Sequence, residues 1–122
     1  DFLSIKGVDN DLSDRIIKYR SKLQGFSIPE QLFEVWGIHQ EVGSQILQVF
    51  SIIEKPVIVK INVNTASFKE VLSTPYINYE LFVKIFDYRD EVAELQSISE
   101  LKNIKGFPLK NYNIIVLYLY AQ

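Results

Sequence analysis

The residues best suited to holding an anion lie close together in the second half of the chain. Lys102, Lys105 and Lys110 fall between residues 101 and 110, a stretch that contains no acidic residue. Ammonium groups in this pattern are suited to contacting a phosphate group, but a solvated surface explains them equally well, and both interpretations stay open. Weaker candidates have acidic residues among them: Lys6, Arg15, Lys18 and Lys22.

Residue types that support catalysis or metal binding are scarce. The chain has no Cys and a single His, His39. It therefore has no thiolate nucleophile, disulfide or Cys-ligated zinc, and most His-based acid–base catalysis is excluded. His39 stands at a turn, which accounts for it without chemistry. We expect no enzyme, no catalytic residue, no metal site, no cofactor and no small-molecule substrate.

The composition is that of a folded domain without a strong charge. Of the 122 residues, 48% are hydrophobic and 23% are charged, which argues against disorder. Thirteen Lys and Arg against fifteen Asp and Glu give a net charge of −2, so bulk charge does not indicate a nucleic-acid binder. No apolar run reaches the roughly 18 residues of a membrane span. Without an initial Met or a signal peptide, the chain is expected to be part of a longer protein of unknown compartment.

The sequence repeats itself at an offset of 69 residues. Nine identities fall within 53 aligned positions, among them Ile16 with Ile85 and Gly37 with Gly106, and conservative pairs extend the match at apolar positions. Such a pattern predicts two copies of one fold. We expect a first unit over residues 1–52 that is truncated at its N-terminus, a linker over 53–60, and a second unit over 61–122.

Periodicity and capping signals predict an all-α fold with two helix pairs in each unit. Ser27 with Glu30 and Ser67 with Glu70 are predicted capping boxes. Val57-Ile58-Val59 predicts an extended linker or a short strand. The predicted helices cover 10–23, 27–35, 39–53, 67–73, 78–92, 97–103 and 109–120. The predicted core consists of Leu12, Ile16, Leu32, Val35, Ile46, Leu81, Ile85, Leu101, Ile104 and Ile115.

Four tight turns share one pattern, in which the third residue is apolar and a helix follows. They are Lys6-Gly7-Val8-Asp9, Trp36-Gly37-Ile38-His39, Pro75-Tyr76-Ile77-Asn78 and Lys105-Gly106-Phe107-Pro108, called the first to fourth hairpins. The pattern resembles the helix-hairpin-helix motif. With Ile61-Asn62-Val63-Asn64-Thr65-Ala66 before the second unit and Tyr88-Arg89 within it, the chain is most similar to the ComEA-like family of competence DNA-uptake receptors.

This resemblance implies a module that binds duplex DNA without reading its sequence. Glycine allows close backbone approach, and amides at a helix start offer partial positive charge to a phosphate. The DNA-binding residues implied are Gly7, Gly37, Lys102, Lys105, Gly106 and Lys110. The resemblance also implies a bacterial parent protein and suggests that it is membrane-anchored outside the cytoplasm.

The hairpins depart from the family pattern, which opens an alternative. The second glycine is replaced by Asp9, His39, Asn78 or Pro108; the first three tolerate a left-handed backbone, whereas Pro108 does not. Acidic residues follow in three hairpins: Asp11, Glu41 and Glu80. The alternative is a protein-interaction module that kept the scaffold and lost phosphate binding. Trp36 is expected to be semi-buried, and helical spacing places the tyrosines at 112, 118 and 120 in packing contacts.

Overall fold

The computed structural model describes residues 2–49 and 57–122. The chain divides into two compact units, Asp1–Val57 and Ile58–Gln122. Part of the predicted linker and the end of the predicted helix over 39–53 lie outside the described residues. Residues 57–60 are in neither a helix nor a strand, so of the two alternatives for 57–59 the linker agrees with the structure and the short strand does not.

Over residues 2–49, the first unit has two long helices and two 3₁₀ turns. Helix α1 (Asn10–Lys22) follows a 3₁₀ turn at Phe2–Ser4, and helix α2 (Gln40–Val49) follows a 3₁₀ turn at Pro29–Glu34. The side chain of Asp9 accepts a hydrogen bond from the Leu12 N–H at 2.8 Å and caps α1. The core of this unit is formed by Ile5, Val8, Leu12, Ile16, Leu32, Val35 and Ile46.

The second unit consists of three α-helices and two 3₁₀ turns, with a short strand at each end. Strand β1 (Ile61–Asn62) leads into helix α3 (Phe68–Leu72) and helix α4 (Tyr79–Val92). A 3₁₀ turn at Ile98–Asn103 and another at Leu109–Asn111 precede helix α5 (Tyr112–Ile115) and strand β2 (Leu119–Tyr120). The prediction of an all-α fold is confirmed, since the described residues are mostly helical and the two strands have two residues each.

All ten residues of the predicted core are buried. Ile16 and Ile85 are completely inaccessible to solvent, and each occupies the middle of the long helix of its unit. Apolar side chains three and four residues apart on α1 and α4 lie on one face, and this face packs against the rest of the unit.

The helix predicted over 109–120 is wrong beyond residue 115. After α5 the chain turns, and β2 pairs in parallel with β1, with Leu119 opposite Ile61. The N–H of Ile61 donates to the carbonyl of Tyr118, and the N–H of Val63 donates to the carbonyl of Tyr120, each at 2.9 Å. These bonds satisfy backbone groups of the segment before α3, which a continued helix would leave without partners.

The segment 61–66 before α3 is fixed by polar contacts. The guanidinium of Arg89 donates to the carbonyls of Val63 and Ala66, each at 3.1 Å. Asn64 bonds to both backbone groups of Leu95, and the side chain of Asn62 accepts from the Asn64 N–H at 3.1 Å. Asn62 and Asn64 therefore serve to satisfy backbone groups.

One predicted capping box is confirmed and the other is shifted. The N–H of Glu70 donates to Ser67, and the Ser67 N–H donates to Glu70 at 3.0 Å. The box predicted at Ser27 and Glu30 is wrong, because the buried Gln31 accepts from the N–H groups of Ser27 and Ile28 instead. Pro29 begins the 3₁₀ turn, which moves the capping position one residue further along the chain.

Glu100 in the second unit occupies the place that Gln31 occupies in the first. The N–H of Gln96 donates to its carboxylate, with Tyr88 and the Ser97 N–H as further donors. The Gln96 bond lowers the pKa of Glu100 below its usual range, because hydrogen bonds from N–H groups favour the charged form.

Tyr118 is buried in the second unit, whereas Tyr120 lies on β2 and is partly exposed. The packing role predicted for Tyr118 is thus confirmed, but the helical spacing that suggested it is wrong for residues 118 and 120.

Candidate nucleic-acid interface

Each of the four hairpins is a β-turn closed by a hydrogen bond. In every case the apolar residue donates its N–H to the carbonyl three residues earlier. The bonds are Val8 to Ile5 at 3.1 Å, Ile38 to Val35 at 3.2 Å, Ile77 to Thr74 at 3.3 Å, and Phe107 to Ile104 at 3.1 Å. The residue just before the apolar one has a positive φ in each turn: Gly7 (96°), Gly37 (85°), Tyr76 (68°) and Gly106 (81°). This is the geometry of a type II turn.

Tyr76 adopts the left-handed conformation although it replaces glycine. Its side chain packs against the core of the second unit, and its ring centroid lies 6.2 Å from that of Tyr118. The third hairpin therefore keeps its turn. The Tyr76 side chain is at the position where the other three hairpins have a glycine, which has no side chain to cover the backbone.

The position expected to hold a second glycine is not left-handed. Asp9 has φ −95° and Asn78 has φ −87°, and both are extended residues that cap the next helix through their side chains. Pro108 has φ −73°, which suits the proline ring. His39 is not among the residues with positive φ. This position is therefore not left-handed, which is why Pro108 fits it and the fourth hairpin keeps its turn.

The acidic residues that follow three hairpins lie in the first turns of long helices. Asp11 is on α1, Glu41 is on α2 and Glu80 is on α4, and all three are exposed. At these positions a carboxylate stabilises its helix, and it also repels an incoming phosphate.

The fourth hairpin combines exposed cations with free backbone donors. Lys102, Lys105 and Lys110 are exposed, and the Lys102 ammonium lies 4.3 Å from the ring centroid of Tyr112. Within residues 2–49 and 57–122, the N–H groups of Lys105 and Gly106 have no acceptor. The long helix expected after this hairpin is absent, and a 3₁₀ turn leads into the four-residue α5. The turn itself, rather than a helix dipole, presents the donors.

Lys84 on α4 also belongs to this site, although the sequence analysis did not include it. A Cβ placed on Gly106 would lie 2.9 Å from its Nζ, so the ammonium lies against the turn. The same Nζ is 3.3 Å from a carboxylate oxygen of Glu80. The sequence signal for this residue is the 69-residue offset, which aligns Lys84 with Arg15. In the first unit, Nη2 of Arg15 lies 3.0 Å from the position that a Cβ of Gly37 would take.

Trp36 in the second hairpin is 79% exposed, so the prediction that it is semi-buried is wrong. The Arg15 guanidinium lies 5.0 Å from the centre of its ring, and Arg15 Nε is buried without a hydrogen-bond partner. Trp36 stands 69 residues before Lys105. The second hairpin therefore presents an indole where the fourth hairpin presents an ammonium group.

In the part of the chain that the structure describes, no group of three His, Cys, Asp or Glu side chains is arranged to hold a metal ion. His39, the last residue of the second hairpin, is exposed. None of the described helices has the length and apolar character needed to cross a bilayer.

Type II turns that join pairs of helices and present a glycine outward define a helix-hairpin-helix protein. A comparison with protein families agrees: residues 57–120, which are 64 of the 122 residues, match the helix-hairpin-helix motif. The chain belongs to this family. Comparisons with curated proteins and with solved structures gave no match. The helix-hairpin-helix motif is generally a DNA-binding module, which suggests a nucleic acid as partner.

Proposed function

We propose that the chain is a sequence-independent DNA-binding module whose contact with duplex DNA is made by the fourth hairpin. The observation that carries this proposal is the combination, in one turn, of two free backbone N–H groups with exposed lysines and no acidic residue. Of the four hairpins, the fourth has this combination without a carboxylate in the residues that follow.

The chemistry of this turn suits a phosphate group. Gly106 has no side chain, so a phosphate oxygen approaches the backbone closely and accepts from the amides of residues 105 and 106. Lys105 within the turn and Lys110 just after it in the sequence add full positive charge. Contacts of this kind position the DNA backbone and carry no base information, so binding should be independent of sequence and sensitive to salt.

We further propose a ComEA-like module of two tandem units. Support comes from the constant offset: α1 and α4 begin 69 residues apart, at Asn10 and Tyr79. The left-handed residues Gly7 and Tyr76 are separated by the same offset. The bacterial competence setting and a location outside the cytoplasm follow from the resemblance and remain proposals, as does the absence of catalytic activity in the module.

DNA contact is assigned to the second unit because the charges differ between the units. Residues 1–50 hold five basic and seven acidic residues, whereas residues 51–122 hold eight of each. Gly7 and Gly37 stay as secondary candidates, because their turns have the right geometry but acidic residues follow them.

A specific observation supports a second function, a protein-interaction module. Trp36 exposes most of its side chain on a hydrogen-bonded turn, and tryptophans are frequent anchors in protein interfaces. In this alternative the first unit binds a partner protein, and the acidic residues after the hairpins reflect the loss of phosphate contacts.

A titration with duplex DNA at low and moderate salt separates the two functions. Lys105→Glu with Lys110→Glu should abolish binding for every DNA sequence, while Asp11→Lys with Glu80→Lys should strengthen it. The matched control is Lys18→Glu with Lys22→Glu, which makes the same charge change on exposed positions of α1 and should reduce affinity much less.

Two results would contradict the proposal. If the control pair reduces affinity as strongly as the hairpin pair, the effect is one of net charge and the fourth hairpin is not the site. If the wild type does not bind at low salt and only the Asp11/Glu80 variant does, the phosphate sites have been lost and the protein-interaction function is favoured.

A further inference from the structure

The ammonium group of Lys84 is held between two features of the second unit. On one side it lies against the fourth hairpin, 2.9 Å from the position that a Cβ of Gly106 would take. On the other side it pairs with Glu80, one turn earlier on α4, at 3.3 Å. The Lys84 side chain is 34% exposed, whereas that of Glu80 is 80% exposed. The ammonium therefore lies against the turn and is paired with a carboxylate that faces solvent.

We propose that Lys84 adds a further donor to the phosphate contact of the fourth hairpin, and that Glu80 is a built-in competitor of that phosphate group. The DNA backbone as the source of the phosphate rests on the proposed function; the site itself would accept any tetrahedral oxyanion. The oxyanion would accept hydrogen bonds from the amides of Lys105 and Gly106 and from the ammonium of Lys84.

The competition follows from the chemistry of the ion pair. Lys84 offers three N–H donors, and the Glu80 carboxylate lies within hydrogen-bond distance of them. An exposed pair on adjacent turns of a helix contributes little to stability, so an arriving phosphate can replace the carboxylate at small cost. Whether it is paired with Lys84 or displaced from it, Glu80 keeps a negative charge near the site, and this charge lowers the affinity for anions.

The first unit contains the same arrangement with a different outcome. Arg15 lies against Gly37, with Nη2 3.0 Å from the position of a Cβ. There the guanidinium lies over the indole of Trp36, 5.0 Å from the centre of the ring. Both units thus direct a cation from the long helix onto the glycine of the following hairpin, but the one in the second unit is paired with an exposed carboxylate.

The test uses the full chain and four variants: Glu80→Gln, Lys84→Gln, the double variant, and Asp87→Asn. Asp87 is an exposed residue of α4, so its variant removes one negative charge from the same helix without touching the site. One arm measures duplex-DNA affinity as a function of salt. The other arm follows the Gly106 amide resonance during titration with sodium sulfate, a free tetrahedral oxyanion.

The proposal predicts a non-additive pattern. Glu80→Gln should raise DNA affinity about two- to fivefold, the range that an exposed ion pair allows. Lys84→Gln should make the slope of log affinity against log salt less negative by about 0.9, which corresponds to the loss of one phosphate contact. The double variant should resemble Lys84→Gln, and Asp87→Asn should resemble the wild type. Sulfate should shift the Gly106 amide more strongly in Glu80→Gln and hardly at all in Lys84→Gln.

The outcomes separate this inference from the proposed function. If Glu80→Gln strengthens binding equally with and without Lys84, Glu80 acts by general repulsion and the inference is overturned while DNA binding stands. If sulfate shifts Gly106 in a Lys84-dependent manner but DNA does not bind, the phosphate site stands and the DNA function fails. If neither probe responds to Lys84, the site does not exist.

Discussion

Gly106→Ala perturbs the proposed DNA contact at its centre. Gly106 has φ +81°, a left-handed conformation that costs a residue with a Cβ about 1–2 kcal/mol. The new methyl group would also lie 2.9 Å from Lys84 Nζ, but this atom ends a flexible side chain and can move. We therefore expect the second unit to lose about 1–2 kcal/mol of stability, nearly all of it from backbone strain.

The first unit provides a closely matched control. Gly37 has φ +85°, and its Cβ would lie 3.0 Å from Nη2 of Arg15, also the end of a long side chain. Gly37→Ala should therefore destabilise its own unit by a similar amount, about 1–2 kcal/mol. The two variants differ in the charges that surround the turn, because Glu41 follows Gly37 whereas Lys110 follows Gly106.

Hydrogen exchange and a DNA titration together test this reasoning. The amides of Ile16 and Ile85 report the opening of the two units separately, so each variant should increase exchange in its own unit. Gly106→Ala should also lose about tenfold in DNA affinity, since a hydrogen bond to a charged group contributes about 1.5–3 kcal/mol. Unchanged exchange at Ile85 would refute the strain argument. An equal loss of DNA affinity in Gly37→Ala would refute the assignment to the fourth hairpin.

Three further predictions concern stability. Ile16→Ala and Ile85→Ala should each cost about 2–5 kcal/mol in denaturant unfolding, because both side chains are fully buried; a cost below about 1 kcal/mol would contradict the packing. The backbone bond from Ser67 lowers the pKa of Glu70 below 4.5, so its contribution is present above pH 4.5 and lost as the pH falls below it. Thermal unfolding of Glu70→Gln should therefore depend less on pH in that acid range, and an unchanged dependence would contradict the capping role. Trp36→Ala should change the free energy of unfolding by at most about 1 kcal/mol, and a larger loss would show that the indole supports the fold.

Most of the scaffold was predictable because it follows from local signals. Apolar spacing on α1 and α4 located the two cores, and Asp9 and Asn78 mark the residues where these helices begin. The four turns were predictable from glycine and apolar positions. Tyr76 shows that the turn forms without a glycine when the side chain at that position packs against the core.

The features that were not predicted depend on tertiary contacts. No Gly or Pro stands after Ile115 to end a helix, and the chain leaves the helical conformation because β2 satisfies backbone groups of residues 61–63. The exposure of Trp36 depends on how the second hairpin faces solvent, which residue type alone does not reveal. The offset aligns Lys84 with Arg15, but Lys84 lies 22 residues from Gly106 in sequence, so the contact between them depends on the packing of α4 against the hairpin.

The salt dependence of duplex-DNA binding tests the central claim most directly. Because only a few lysines of the second unit contact the DNA, binding should be weak, with a dissociation constant of about 0.1 mM to 1 µM, and independent of base sequence. The slope of log affinity against log salt should be about −2 to −3, as expected when two or three phosphates are neutralised at about −0.9 each. A titration of the wild type with two unrelated duplexes over a range of salt concentrations measures both properties. Equal affinities with that slope are the predicted result, and the absence of binding at low salt, or a slope near zero, would contradict the account.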